Sequence, residues 1–307
     1  MMATLVRSEV RVPCSTSNLG SGFDTVGLAL NRYLEASFEP GGRELEVKRG
    51  GTLSLLDGDA SDRDFVTSVF KATLAVEGIT PTGILRLHSE VPVARGLGSS
   101  AAARVAGHDL ARGAMGLSSD PTASFRTACE LEGHGDNAAP CALGGLRAVV
   151  PGDGGPRTLA LELSPDVGFA YAAPGTVIST AAARAALPGQ VAHEVAVACL
   201  GRLTALLRGL ALGDAELIRA GMDDDLHVPH RLPLIPGGFD AIRAGLDAGA
   251  WGVTISGSGS GLIALCSPDD AYGVAAAMKA VFCSGADDPR CCGFVLQPDF
   301  EGLARPG

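Results

Sequence analysis

Pro92-Val93-Ala94-Arg95-Gly96-Leu97-Gly98-Ser99-Ser100-Ala101-Ala102-Ala103 is a glycine-rich loop that runs straight into a strong helix former. A strand-like segment ending near His88 precedes it. Gly96 and Gly98 permit positive φ and let a ligand approach the backbone closely. Ser99 or Ser100 can cap the helix, and the small alanines leave its first turn uncrowded. Unpaired N–H groups at that end, with the positive end of the helix dipole, make a cradle for phosphate. Gly-x-Gly-Ser alone favours the plainer reading of an ordinary turn plus N-cap. The chain contains no G-x-x-x-x-G-K-[ST], and the loop lacks the third glycine of a dinucleotide fingerprint. It is therefore neither a P-loop nor a Rossmann turn.

A chain of 307 residues exceeds the usual single core, so two lobes are expected. Its composition, 46% apolar and 19% charged, suits a well-buried globular protein. The balance of 24 basic against 34 acidic residues repels nucleic-acid backbones and anionic lipid, so neither partner is expected. An anionic nucleotide then needs a local site made of backbone N–H groups or a metal. Residues 1–10 have no apolar core of signal-peptide length, and no later run is long and uncharged enough to span a bilayer. The apolar region 191–212 is interrupted by Glu194, Arg202 and Arg208 and reads as a buried or amphipathic helix. Eight scattered cysteines without a C-x-x-C pair read as free thiols in a reducing compartment, which implies the cytoplasm.

Strands are expected at 9–13, 35–39, 44–49 and 83–88, and helices at 64–76, 100–115 and 121–132. The Gly/Pro-rich turn VVPGDGGPR at 149–157 is the natural lobe boundary, dividing the chain into 1–157 and 158–307. Beyond it come a strand at 167–172 and helices at 181–187, 192–210 and 214–220. A turn at 233–238, a helix at 239–248, strands at 252–255 and 262–266, a helix at 269–282 and a strand at 293–297 complete the chain. Strands alternating with helix pairs suggest an α+β sandwich with helices on one face.

Pro-x₃-Gly-Leu-Gly-Ser-Ser-Ala-Ala resembles the phosphate-binding signature of the GHMP kinases. Two companion motifs strengthen the resemblance. Near the start, Val12-Pro13-Cys14-Ser15-Thr16-Ser17-Asn18-Leu19-Gly20-Ser21-Gly22-Phe23-Asp24 looks like the homoserine-kinase branch, with Cys14, Ser17 and Ser21 where that branch usually has Ala, Ala and Pro. Near the end, Gly252-Val253-Thr254-Ile255-Ser256-Gly257-Ser258-Gly259-Ser260-Gly261 resembles the third motif, in which Ser256, Gly257, Ser258 and Gly259 support the phosphate loop. The resemblance implies a two-lobed α+β fold, with an N-terminal domain like ribosomal protein S5 domain 2 and a ferredoxin-like C-terminal domain. The substrate site would lie at their interface.

The same resemblance implies the site residues. ATP phosphates would meet Pro92, Arg95, Gly96, Leu97, Gly98, Ser99, Ser100 and Ala101, with Mg²⁺ held by Ser100 and Glu130. Glu130 and Glu132 also read simply as solvated helix-end charges. Glu132-Gly133-His134-Gly135-Asp136-Asn137-Ala138-Ala139-Pro140 resembles the most substrate-specific stretch of homoserine kinases. By that match Asn137 orients the acceptor oxygen and Asp136 lines the pocket, with a base role for Asp136 left open. His134 would hydrogen-bond substrate or be structural. Arg184 and Arg231 would bind the acceptor carboxylate, Asp24 its ammonium, with Asn18 beside them, and Thr180 would contact the transferred phosphate. Asp64 stands where many members carry an adenine-binding Asn. The implied activity is phosphorylation of L-homoserine in threonine biosynthesis, with a homodimer left open. Another small alcohol, such as threonine or mevalonate, and a catalytically silent nucleotide-binding regulator are the alternatives.

Overall fold

Alternation of apolar and polar residues carries β1 (Ser8–Asn18) into a long antiparallel hairpin with β2 (Gly22–Pro40). The structure, a computed structural model, describes residues 5–55, 64–284, 288 and 290–306, so the first four residues of the chain lie outside it. After the hairpin come β3 (Leu45–Gly51), α1 (Phe65–Val76), β4 (Gly83–Ser89), α2 (Ser99–Ala114), α3 (Pro121–Glu132), α4 (Ala138–Leu143), β5 (Leu146–Val150) and β6 (Arg157–Leu161). The six strands form one sheet in the order β3-β4-β2-β5-β6, with β1 paired to β2. Ala101, Ala102, Val105, Ala106 and Leu110 of α2 are buried among Val12, Phe38, Phe70 and Leu85. Local chemistry sets the helix ends. Asp64 caps α1 by accepting from the Thr67 N–H, Asp120 and Pro121 open α3, and left-handed Gly133 closes it.

The second lobe contains β7 (Gly168–Ala173), α5 (Thr180–Ala185), α6 (His193–Leu212), α7 (Ala215–Met222), α8 (Val228–Arg231), α9 (Gly238–Asp247), β8 (Gly252–Ile255), β9 (Leu262–Cys266), α10 (Ala271–Cys283) and β10 (Cys292–Leu296). Its four strands are antiparallel in the order β10-β7-β9-β8. In chain order that is 4-1-3-2, the ferredoxin-like arrangement. Period-two alternation divides β7 between two cores. Ala170 and Ala172 face α9 and α10, whereas Phe169, Tyr171 and Ala173 pack with Cys14, Leu28 and Leu30 of the first lobe and with Leu206 and Ile218 of α6 and α7. Helices therefore cover both faces of this sheet rather than one.

Two expectations are corrected. The Gly/Pro-rich turn at 149–157 joins β5 to β6 as an antiparallel hairpin, because Gly/Pro turn chemistry serves a hairpin as well as a linker. The first sheet thus continues to Leu161, and the crossing between sheets falls between β6 and β7. The tail also returns to the first sheet, through the Leu30–Pro298 and Arg11–Ala304 bridges, so 158–307 is not one unit. Among the described residues, α6 alone is long and apolar enough to cross a membrane by length and composition. In the fold its C-terminal half packs on α7, and Val197 and Leu200 nearer its start are exposed.

Candidate active site

A cleft of about 220 Å³ lies between the lobes, with the N-terminus of α2 at its wall. Gly98 rather than a serine occupies the N-cap, at φ 61°, and no side chain among the described residues caps the helix. A Cβ on Gly98 would strike the Ser15 hydroxyl and come within 2.9 Å of Asn137 Oδ1. One on Gly96 would strike the Ser256 carbonyl. Both positions thus require glycine for conformation and for space.

The third motif braces this loop from the other lobe. Ser256 Oγ donates to the Gly96 carbonyl at 2.7 Å and lies 2.8 Å from Thr16 Oγ1. Asn18, at φ 75°, donates from Nδ2 to the Gly257 carbonyl at 2.5 Å, and its Oδ1 accepts from the Asp24 N–H at 2.9 Å. Gly257 and Ser258 line the cleft, whereas Ser256 and Gly259 stand behind it. The Thr180 hydroxyl faces that of Ser258 at 3.4 Å.

Not every residue of the phosphate loop faces the cleft. Gly96, Gly98, Ser99 and Ser100 do. Leu97 is buried in the core between the lobes, Ala101 in the first-lobe core, and Pro92 does not line the cleft. The expected phosphate contact by Arg95 is corrected: its buried guanidinium turns away and donates to the carbonyls of Pro174, Gly175 and Arg290.

Glu130 is also corrected. It is outside the cleft, while Glu132, two residues on and so across the helix, lines it. Arg104 donates to Glu132 at 2.6 Å, and Arg104 lies one turn after Ser100 on α2. The Glu132 carboxylate is thereby held along the face of α2 that carries Ser100. A hydroxyl and a carboxylate, both oxygen donors beside a phosphate cradle, fit a hard divalent cation that keeps waters and phosphate oxygens as its other ligands.

Asp64 lines the cleft, but both of its carboxylate oxygens are already engaged within the protein. Its Oδ1 accepts from the Thr67 N–H, and its Oδ2 accepts from Arg49 and the Thr67 hydroxyl. It is the cap of α1, and the surrounding wall of the cleft is Leu53, Phe65, Val66 and Val93.

The opposite end is polar. Asn137 Oδ1 accepts from Ser15 at 2.9 Å and its Nδ2 donates to Ser17 at 2.7 Å, so its amide orientation is locked. Asp136 Oδ1 and His134 Nδ1 are 2.7 Å apart. Burial pushes the Asp136 carboxyl up, but bonds from His134, Ser17 and the Asn137 N–H more than offset it and hold its pKa below the ordinary value. The bond to Asp136 raises the His134 pKa against the effect of burial.

Arg184 makes a two-pronged ion pair with Asp24, at 2.9 and 3.0 Å. Arg231 is only 3% exposed; its Nε donates to the Ala183 carbonyl at 3.0 Å, and its terminal nitrogens have no hydrogen-bond partner among the described residues. Burial lowers its pKa against the pull of Asp24. Its guanidinium lies 5.0 Å above the Phe23 ring, whose other neighbour is the stacked ring of His227. Burial pushes His227 down to about 4, against the pull of Asp224. Sequence reasoning gave no site role to Glu132, Ser15, Phe23 or His227, although the first three sit inside stretches it quoted.

Comparison with known proteins agrees with this geometry. The model of the GHMP kinases N terminal domain matches residues 64–145, and that of the GHMP kinases C terminal domain matches 205–282. The chain is 39% identical to a homoserine kinase of a Synechococcus species over 279 residues, 88% of this chain and 87% of that one. It is 40% identical to the homoserine kinase of Moorella thermoacetica, across 84% and 86% of the two chains. The crystal structure of homoserine kinase from Cytophaga hutchinsonii superposes with a TM-score of 0.85 at 29% identity, covering 100% of this chain and 98% of that one. L. major mevalonate kinase in complex with R-mevalonate shares the fold, with a TM-score of 0.72 at 16% identity over 97% and 98%. With the glycine-bounded start of α2, an oxygen-donor pair and two arginines gathered in one cleft, and with these relatives, this chain belongs to the homoserine kinase family of the GHMP kinases.

Proposed function

We propose that this chain transfers the γ-phosphoryl group of ATP to the side-chain hydroxyl of L-homoserine, giving ADP and O-phospho-L-homoserine. The observation that carries this reading is the convergence of Arg184, Arg231, Asp24 and Asn137 on the cleft that the N-terminus of α2 opens into. A small zwitterion satisfies that set. Its carboxylate takes the open terminal nitrogens of Arg231 and a share of Arg184, while its ammonium takes Asp24.

Transfer itself asks mainly for position and charge. The N–H groups at the start of α2 hold the phosphate tail, with Gly96 and Gly98 leaving it room. Ser100 and Glu132 would hold Mg²⁺, which when bound would supply neutralisation of phosphate charge. Asn137, with its amide locked by Ser15 and Ser17, orients the acceptor hydroxyl in line. Asp136 is spent on holding His134, and its depressed pKa makes it a weak base. Thr180, across the cleft, meets the group in transit.

Steady-state assays of ADP release on homoserine, threonine, serine and mevalonate test this. Homoserine should give the highest kcat/KM. A better rate with mevalonate, which has no ammonium, would overturn the assignment of the polar end. ATP binding without turnover of any alcohol would make the chain a regulator instead.

A further inference from the structure

Arg95 sits in the middle of the phosphate loop yet points out of the cleft, and it is 5% exposed. Its Nη2 donates to the Gly175 carbonyl at 2.9 Å, and its Nη1 donates to the carbonyls of Pro174 and Arg290, the latter at 3.1 Å. Its direct hydrogen bonds all go to backbone carbonyls, while the Asp288 carboxylate, packed against Gly175, adds a longer-range attraction. The backbone of the same residue is tied as well. The hydroxyl of Tyr171, a fully buried residue of β7, donates to the Arg95 carbonyl at 2.6 Å. The preceding residue, Ala94, is left-handed at φ 54°, a conformation that non-glycine residues adopt only when their surroundings hold them there.

The carbonyls that Arg95 grips have a particular place in the chain. Pro174 and Gly175 directly follow β7, and five residues after Gly175 comes Thr180, the first residue of α5, the helix that carries Arg184. One guanidinium therefore joins the loop that cradles phosphate to the segment that presents the acceptor-binding groups. We propose that Arg95 is a positioning residue that couples the two half-sites: nucleotide filling the α2 end draws the segment from Pro174 to Arg184 into its acceptor-binding position, and acceptor does the reverse. The proposal rests on the cleft being the ATP and homoserine site. Coupling of this kind is reciprocal in binding free energy and can be read directly.

The test is a four-sided binding cycle on the full chain by calorimetry. Homoserine affinity is measured with and without saturating Mg²⁺ and a non-hydrolysable ATP analogue, in wild type, Arg95→Met, Arg95→Lys and Tyr171→Phe. Wild type should show the nucleotide tightening homoserine binding by about fivefold or more. In Arg95→Met that factor should fall towards one, while the affinity for nucleotide alone changes less than about threefold and kcat falls on the order of tenfold or more. Arg95→Lys keeps the charge but not the planar fork and should recover part of the factor. Tyr171→Phe, which keeps its packing, should lose part of it and supplies the answer if Arg95→Met does not fold.

Three results overturn the proposal: a wild-type factor of one, variants that melt earlier with the factor intact, or loss of nucleotide affinity in the absence of acceptor, which would make Arg95 a phosphate ligand. Failure of the functional reading looks different, because wild type would then neither bind nor turn over homoserine.

Discussion

Two arginines meet the proposed carboxylate site, and the structure ranks them. Arg231 is 3% exposed, and its terminal nitrogens are open to the cleft. Arg184 and Asp24 side chains are 38% and 35% exposed and are already paired with each other. Truncating one partner of a buried charged pair costs about 2–5 kcal/mol. At about 1.4 kcal/mol per tenfold, Arg231→Met should raise the homoserine KM roughly 30- to 5000-fold. For Arg184 the gain on binding is that of hydrogen bonds to a charged group, about 1.5–3 kcal/mol. From it comes the loss of the Asp24 pair, worth about 0–1 kcal/mol at this exposure. The net, about 0.5–3 kcal/mol, makes Arg184→Met a roughly 2- to 150-fold lesion.

Initial rates across homoserine concentration at saturating ATP, and the converse, give both KM values. Each variant should leave the ATP KM within about threefold, because neither side chain lies at the α2 end, and kcat should fall less than kcat/KM. Thermal melting controls for the lost bond from Arg231 to the Ala183 carbonyl, worth about 1 kcal/mol. The reasoning is refuted if Arg184→Met is the more damaging variant, or if the two KM values rise together.

Four further outcomes are expected from the geometry. Glu132→Gln should raise the Mg²⁺ concentration needed for half-maximal rate and lower kcat, while Glu130→Gln should leave both within about twofold, since Glu130 is outside the cleft. The raised pKa of His134 means that its pairing with Asp136 stabilises the fold fully below the unfolded value near 6.5 and loses that part as pH rises through the folded value. The Tm gap between wild type and His134→Asn should therefore be widest between about pH 4 and 6.5, the lower limit being set by protonation of Asp136, and should narrow above it. Gly98→Ala adds a left-handed penalty of about 1–2 kcal/mol to its contacts with Ser15 and Asn137, and should lower both Tm and kcat. Burial pushes the Cys14 and Cys266 thiols up to about 12, so an aromatic disulfide reagent at pH 8 should leave both unlabelled in the native protein, as read by peptide mass mapping.

Most regular elements were legible because their signals are local. The helix expected at 121–132 matches α3 residue for residue, since Asp120, Pro121 and Gly133 write both of its ends in the sequence. Strands 252–255 and 262–266 match as well, as short apolar runs flanked by glycine or serine. The misread lobe boundary has the opposite cause. A Gly/Pro turn states that the chain reverses, and only the pairing of Val150 with Arg157 states that it reverses within one sheet.

Side-chain direction was the harder inference, and the two glutamates show how far periodicity could have carried it. On α3 the buried positions are Ser124, Phe125 and Ala128, and steps of three and four from Phe125 and Ala128 arrive at Glu132, not at Glu130. The apolar stripe thus already pointed Glu132 towards α2 and Glu130 away from it. Arg95 offered no such clue. It stands between two left-handed residues, Ala94 and Gly96, its direction depends on carbonyls some eighty residues away, and a cation in a phosphate loop reads most simply as a phosphate ligand. A long-range contact had to be seen to be known. What the local pattern could supply was the set of groups that meet at the cleft; which of them face it and which brace it from behind is decided by packing between the lobes.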